Sequence, residues 1–314
     1  MMRWAQLREA WEAFWFEPES ALPIAVFRIA FGLLLMLEAA WLAPDLLTYF
    51  GPHALVSRAT AQALMPGPRL NVLAWLPDTD ASVIGFYSVY VCAIIGLTLG
   101  FRTRACAVLT YVGLTSLHHA DSLIFNASDN LLRLDAFLLI FAPAGARLSL
   151  EALARGRTAA ETLHAPWAQR LIQLQLCLMY LNAVGWKLDG QHWLDGTAVY
   201  YALQAAHYRG LPVPFVTTNL TSIQLLSWGT IALELALGIL VWLRETRYPV
   251  LLAGVVFHLC LCYSMNLPFF EWVVLAPYVL FVQADDLRRL ARRLGPPELL
   301  ARFRAGALQE PPAR

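Results

Sequence analysis

The chain has 314 residues, 59% of them hydrophobic and 14% charged, with mean hydropathy +0.54. Soluble domains carry nearly twice that share of charge, so water is not the solvent for much of this chain. Lys and Arg (23) almost balance Asp and Glu (22), which removes the basic field that draws proteins to nucleic acid, and no nucleic-acid partner is expected.

A bilayer core of about 30 Å takes about 20 apolar residues of helix. After a cytoplasmic, amphipathic segment at 1–20, runs of that order lie at 21–42, 81–100, 104–120, 129–146, 166–188, 221–243, 248–265 and 268–283. The first run contains Arg28 and Glu38, which the apolar stretch of a signal peptide would not carry, so it reads as a retained span. Segments 43–80 and 189–220 mix Trp75, Trp193, Tyr200, Tyr201 and Tyr208 with polar residues and suit short helices at the outer interface. In the tail, 286–314, Leu287, Leu290 and Leu294 alternate with arginines as an amphipathic helix on the inner leaflet would. The expected fold is therefore all-α: a polytopic transmembrane bundle of about eight spans over 21–285.

Short cytoplasmic loops accumulate Lys and Arg. With the N-terminus inside, sixteen arginines fall on cytoplasmic segments, and only Arg58, Arg69 and Arg209 fall outside. This count expects a multi-pass protein of the cell membrane with both termini cytoplasmic. The cysteines Cys92, Cys106, Cys177, Cys260 and Cys262 all lie in apolar runs and read as small hydrophobes, so neither a disulfide framework nor a metal site is expected.

Charges at membrane depth are costly unless paired or hydrated, which makes each of them a candidate for function. From a rise of about 1.5 Å per residue, Arg28 lies about 10 Å, Glu234 about 13 Å and Asp135 about 16 Å from the inner helix ends. These depths expect a structural ion pair between Arg28 and Glu234 or Asp135. Toward the outer face gather His118, His119, Asp121, Asn126, Asp129, Asn130, Arg133, Lys187, Asp189, Asn266 and Glu271, with His258 nearer mid-membrane. Asp129 and Arg133 are four apart and suit a helical ion pair, and Asp129 also suits a helix cap. Lys187 is the one lysine among 23 basic residues. A partly desolvated lysine offers a neutral amine as a base. The same residue could instead snorkel to water, or be held charged by Asp189.

These residues resemble the HTTM family, whose membrane domain is shared with vitamin K-dependent gamma-carboxylase. The likeness runs from about Pro23 to Val282. It rests on Phe27-Arg28 with Phe31-Gly32, on Leu99-Gly100 with Arg104 and Cys106, on YLNAVGWKLDGQHW from Tyr180 to Trp193, on Glu234, on Phe257-His258 and on Met265-Asn266. The resemblance implies that Lys187 is catalytic, deprotonating a reduced naphthoquinone in an outward-facing cavity. Reaction of that quinol with oxygen then yields a base strong enough to remove a glutamyl gamma-proton before carbon dioxide adds. It implies His258, Asn266, His118 and Asp129 as cofactor contacts, and membrane lipid, a quinone and a small peptide substrate as partners. The chain departs from the family where a histidine gives way to Asn126-Ala127-Ser128-Asp129. It also ends about 30 residues after the last run, without the carboxylase's large extramembrane region. In length it is similar to shorter bacterial HTTM proteins, some resembling the membrane component of a sporulation-delaying-peptide system, so the alternative expectation is a non-enzymatic component of peptide maturation, export or immunity.

Overall fold

The structure, a computed structural model, describes residues 4–64, 67, 69–121, 124, 127–156, 163–206, 208, 210–267 and 269–294. Asn126 and the tail beyond residue 294 lie outside them. The described residues are overwhelmingly helical, as the all-α expectation has it; the strands are one short antiparallel pair, Glu19–Ser20 with Leu163–His164. The main helices are α1 (Trp4–Phe16), α2 (Leu22–Leu42), α3 (Asp80–Leu99), α4 (Thr103–Ala120), α5 (Ala127–Phe141), α6 (Trp167–Leu188), α7 (Leu220–Ile239), α8 (Arg247–Ser264), α9 (Phe270–Leu275) and α10 (Ala284–Leu294).

Local chemistry sets the ends of these helices. Pro23 opens α2, where a missing N–H costs nothing. The Thr79 hydroxyl accepts from Ser82 N at 3.2 Å to cap α3. Asn219 Oδ1 accepts from Thr221 N at 2.9 Å and Ser222 N at 3.3 Å to cap α7. At the far end of α3, Gly100 has φ +69°, a left-handed turn that glycine takes without strain.

Among the described residues, four helices are long and apolar enough to cross a membrane: Leu22–Phe50, in which α2 is continued by a 3-10 turn and a short helix, Asp80–Leu99, Leu220–Trp242 and Arg247–Ser264. Their outward surfaces are apolar: Leu33, Leu37 and Trp41 on α2, Val89 and Ile95 on α3, Leu225 and Leu235 on α7, and Leu252 and Val256 on α8 are all exposed. In water such continuous apolar surface would drive aggregation; against lipid chains it is matched. The run expected at 268–283 holds only the six-residue α9 and a 3-10 turn, Ala276–Phe281. Pro277 has no N–H to continue the α form, and this piece reaches only about 20 Å.

The chain divides into two compact units. In the first (1–170 and 282–314), α2 packs on α3, α3 on α4 and α4 on α5, while α10 lies against α2. Phe27, Phe31, Ile94, Leu97, Leu114 and Leu139 fill its core. Arg28 is fully buried there; Nη1 donates to Ala144 O at 2.7 Å, and Nη2 to Leu148 O at 2.5 Å and, more weakly, to Thr98 O at 3.4 Å. Thr98 O belongs to the last turn of α3, where helices leave carbonyls without partners, so one guanidinium ties α2 to the end of α3 and to the loop after α5. Gly100 completes this contact, because a Cβ there would lie 2.7 Å from Arg28 Nη1 and 2.2 Å from Ser149 Cβ. In the second unit (171–281), α7 packs on α8 and α8 on α9, around Ile172, Tyr180, Leu237, Val274 and Leu280.

Candidate functional site

One face of α6 organises the second unit. Gln173, Cys177, Tyr180, Val184 and Lys187 follow at alternating steps of four and three residues, which stacks them along a single stripe. The first four are buried, and the Lys187 side chain keeps 17% of its exposure. Every polar member of the stripe has a partner within the unit. Gln173 Nε2 donates to Leu280 O at 2.7 Å, and Cys177 Sγ lies 3.7 Å from Leu237 O.

At the end of the stripe Lys187 meets Glu234 of α7. Nζ donates to Oε1 at 2.8 Å and lies 2.7 Å from Oε2, and the carboxylate is almost wholly buried. The amine also stands over the Trp193 ring, 5.1 Å from its centroid, within the range of a cation–π contact. It is thus enclosed by a carboxylate on one side and an indole on another.

Two turns back along α6, the Tyr180 hydroxyl lies 2.6 Å from His258 Nε2 of α8 and 2.7 Å from the Tyr278 hydroxyl. His258 Nδ1 bonds Glu271 Oε2, and Glu271 is fully buried at the start of α9. The chain Tyr278–Tyr180–His258–Glu271 therefore runs through the core, with both imidazole nitrogens engaged. His258 also lies within electrostatic reach of Glu234. Close approach of α8 depends on Gly254, where a Cβ would sit 2.5 Å from the Tyr278 oxygen. In the loop after α6, the Asp195 carboxylate accepts from Thr197 N at 2.9 Å and from its hydroxyl at 2.6 Å, bonds that hold its pKa below the usual carboxylate value.

The residues expected from the sequence are distributed as follows. Lys187, Glu234 and His258 belong to this one unit. The expected pairing of Arg28 with a carboxylate is corrected: among the described residues Arg28 donates to backbone carbonyls, and Glu234 takes Lys187 as its partner. Asp135 is buried in α5. Asn266 has an exposed side chain, and its backbone N–H donates to Tyr208 O at 2.8 Å. His118 and Asp129 are buried in the first unit, near Glu38. Arg133 engages Asn130 and His119 Nε2, the latter at 2.8 Å, where a helical pairing with Asp129 was expected. Sequence reasoning missed Tyr278 and the bonding of Tyr180 and Glu271; Tyr180 opens the motif that carries Lys187 and lies seven residues before it, but nothing in the sequence pointed to its partners.

The model of the HTTM domain matches residues 16–285. The chain belongs to the HTTM family. This HTTM protein is also similar to a protein of Bacillus subtilis (strain 168) described as uncharacterized protein YitO, with 21% identity over 248 residues, 75% of this chain and 79% of the relative. No solved structure matches it.

Proposed function

We propose that this HTTM protein is a multi-pass membrane enzyme in which Lys187 is the base toward a reduced naphthoquinone held near the outer face. The orientation is the one that the arginine distribution favours, with eight passes in a bacterial inner membrane and both termini cytoplasmic. The observation that carries the reading is the Lys187–Glu234 contact against Trp193.

The donor set fits such a ligand: an amine to take a hydroxyl proton, a carboxylate bonded to the amine, and an aromatic ring beside the amine. A reduced naphthoquinone supplies, once deprotonated, an anion that reacts with oxygen. The protein's own part is proton handling. The ion pair with Glu234 is the protonated form of this base; once that proton has left, the neutral amine takes a quinol hydroxyl proton, and Glu234 again pairs the ammonium where it forms. Tyr180 acts through position: its hydroxyl, fixed by His258 and Tyr278, holds the face of α6 that carries Lys187. A small peptide is the proposed acceptor, and membrane lipid the second partner.

The test is oxygen uptake by the purified chain in nanodiscs supplied with a reduced naphthoquinone. Uptake by the wild type, lost in Lys187→Ala while the protein stays folded and inserted, supports the reading. No uptake by the wild type, or full uptake by Lys187→Ala, overturns it and leaves a non-enzymatic role for the same ion pair.

A further inference from the structure

Glu38, His118 and Asp129 come from three helices of the first unit and meet there. Glu38 lies in the last turns of α2, His118 in the last turn of α4 and Asp129 in the first turn of α5. One ligand atom from each, two carboxylate oxygens and an imidazole nitrogen, lies within 4.8 Å of the others. His118 and Asp129 are buried, at 4% and 7% exposure. We infer that these three side chains form a binding site for a first-row divalent metal ion.

Three observations carry this. The first is spacing. Ligand atoms around such an ion stand about 2.0–2.2 Å from it, so two ligands of one ion are at most about 4.4 Å apart, close to the 4.8 Å within which these three atoms lie. The second is an unanswered acceptor: Glu38 Oε2 is buried and has no hydrogen-bond partner. A carboxylate oxygen in that state needs a proton or a cation. The third is charge. Two carboxylates meet here, that of Asp129 buried and that of Glu38 half-buried, while Arg133 bonds Asn130 and His119. A divalent ion would neutralise both carboxylates together.

The donor set also selects the ion. An imidazole disfavours magnesium and calcium, which prefer all-oxygen shells, while two carboxylates with one imidazole suit zinc, iron or manganese. Three protein ligands leave coordination positions for water or an oxygen ligand. The site requires nothing from Lys187, and it gives His118 and Asp129, which the family resemblance implies as quinone contacts, the role of metal ligands instead.

The experiment uses the full chain in detergent, stripped with chelator and then dialysed against zinc or, as a visible reporter, cobalt. The expected result is about one ion per chain, with cobalt giving ligand-field bands that change when His118→Gln removes the nitrogen donor. Glu38→Gln with Asp129→Asn should weaken binding by at least about a hundredfold, while Lys187→Ala binds as the wild type does. Wild-type protein that takes up no stoichiometric zinc or cobalt overturns the site without reference to any variant. Unchanged affinity in the carboxylate double variant overturns it equally.

Discussion

Lys187 Nζ lies 2.8 Å from Glu234 Oε1, so the chain's single lysine and the acid of α7 form one unit within the second half of the protein. Neither can be altered as if alone. Removing the amine leaves a nearly buried carboxylate without its partner, and removing the carboxylate leaves a cation in an apolar setting.

The first prediction follows from that asymmetry. Lys187→Met or Glu234→Leu alone should destabilise the protein by about 3 kcal/mol, the usual cost of breaking a buried pair. The double variant should recover most of the loss, because two apolar side chains of similar bulk need no partners. Oxygen uptake with a reduced naphthoquinone should stay absent in all three. Thermal unfolding in detergent reads the stability, and additive losses in the double variant would show that the two residues are not coupled.

Tyr180 gives the second. Its hydroxyl serves both His258, at 2.6 Å, and Tyr278, at 2.7 Å, so Tyr180→Phe strands two buried polar groups. The expected loss is about 1–3 kcal/mol. Tyr278→Phe leaves the Tyr180–His258 bond intact and should cost less. Melting temperatures in the reverse order would mean that Tyr278, not Tyr180, is the hub of the chain.

Arg28 supplies the third. Its guanidinium reaches carbonyls of Thr98, Ala144 and Leu148, a span that one ammonium cannot cover. Arg28→Lys should lose about 2 kcal/mol, and Arg28→Met more. Equal stability of Arg28→Lys and the wild type, by denaturant-dependent unfolding, would show that charge alone suffices there.

How much of this was legible in the sequence depended on the kind of signal. Apolar length announced α2, α3, α7 and α8, because bilayer thickness writes directly into run length. Lys187 and Glu234 were each conspicuous as charges inside apolar runs, yet their pairing was not. Depth along a helix fixes one coordinate only, and it favoured Arg28 for Glu234. Arg28 was instead satisfied by carbonyls, which every residue carries and which therefore leave no mark in a sequence. Tyr278 reads as an ordinary aromatic in an apolar stretch. The Glu38–His118–Asp129 grouping was hidden differently: metal spacing was sought among cysteines, whereas these ligands are brought together from distant helices.

The last prediction concerns orientation, on which the placing of Lys187 near the outer face depends. Sixteen arginines fall on the segments assigned to the cytoplasm and three on those assigned outside, and α10 carries Arg288, Arg289, Arg292 and Arg293 on its polar side. Basic segments of this kind stay on the cytoplasmic side because translocating them opposes the membrane potential and forfeits the anionic leaflet. A fluorescent protein that matures only in the cytoplasm should therefore light up when fused after residue 314, and an alkaline phosphatase that folds only outside should be active when fused after His53. If fluorescence is lost from the C-terminal fusion while phosphatase activity remains at His53, an odd number of passes follows. The short α9 segment, with about 20 Å of reach, would then be the first candidate for a stretch that enters the membrane without crossing it.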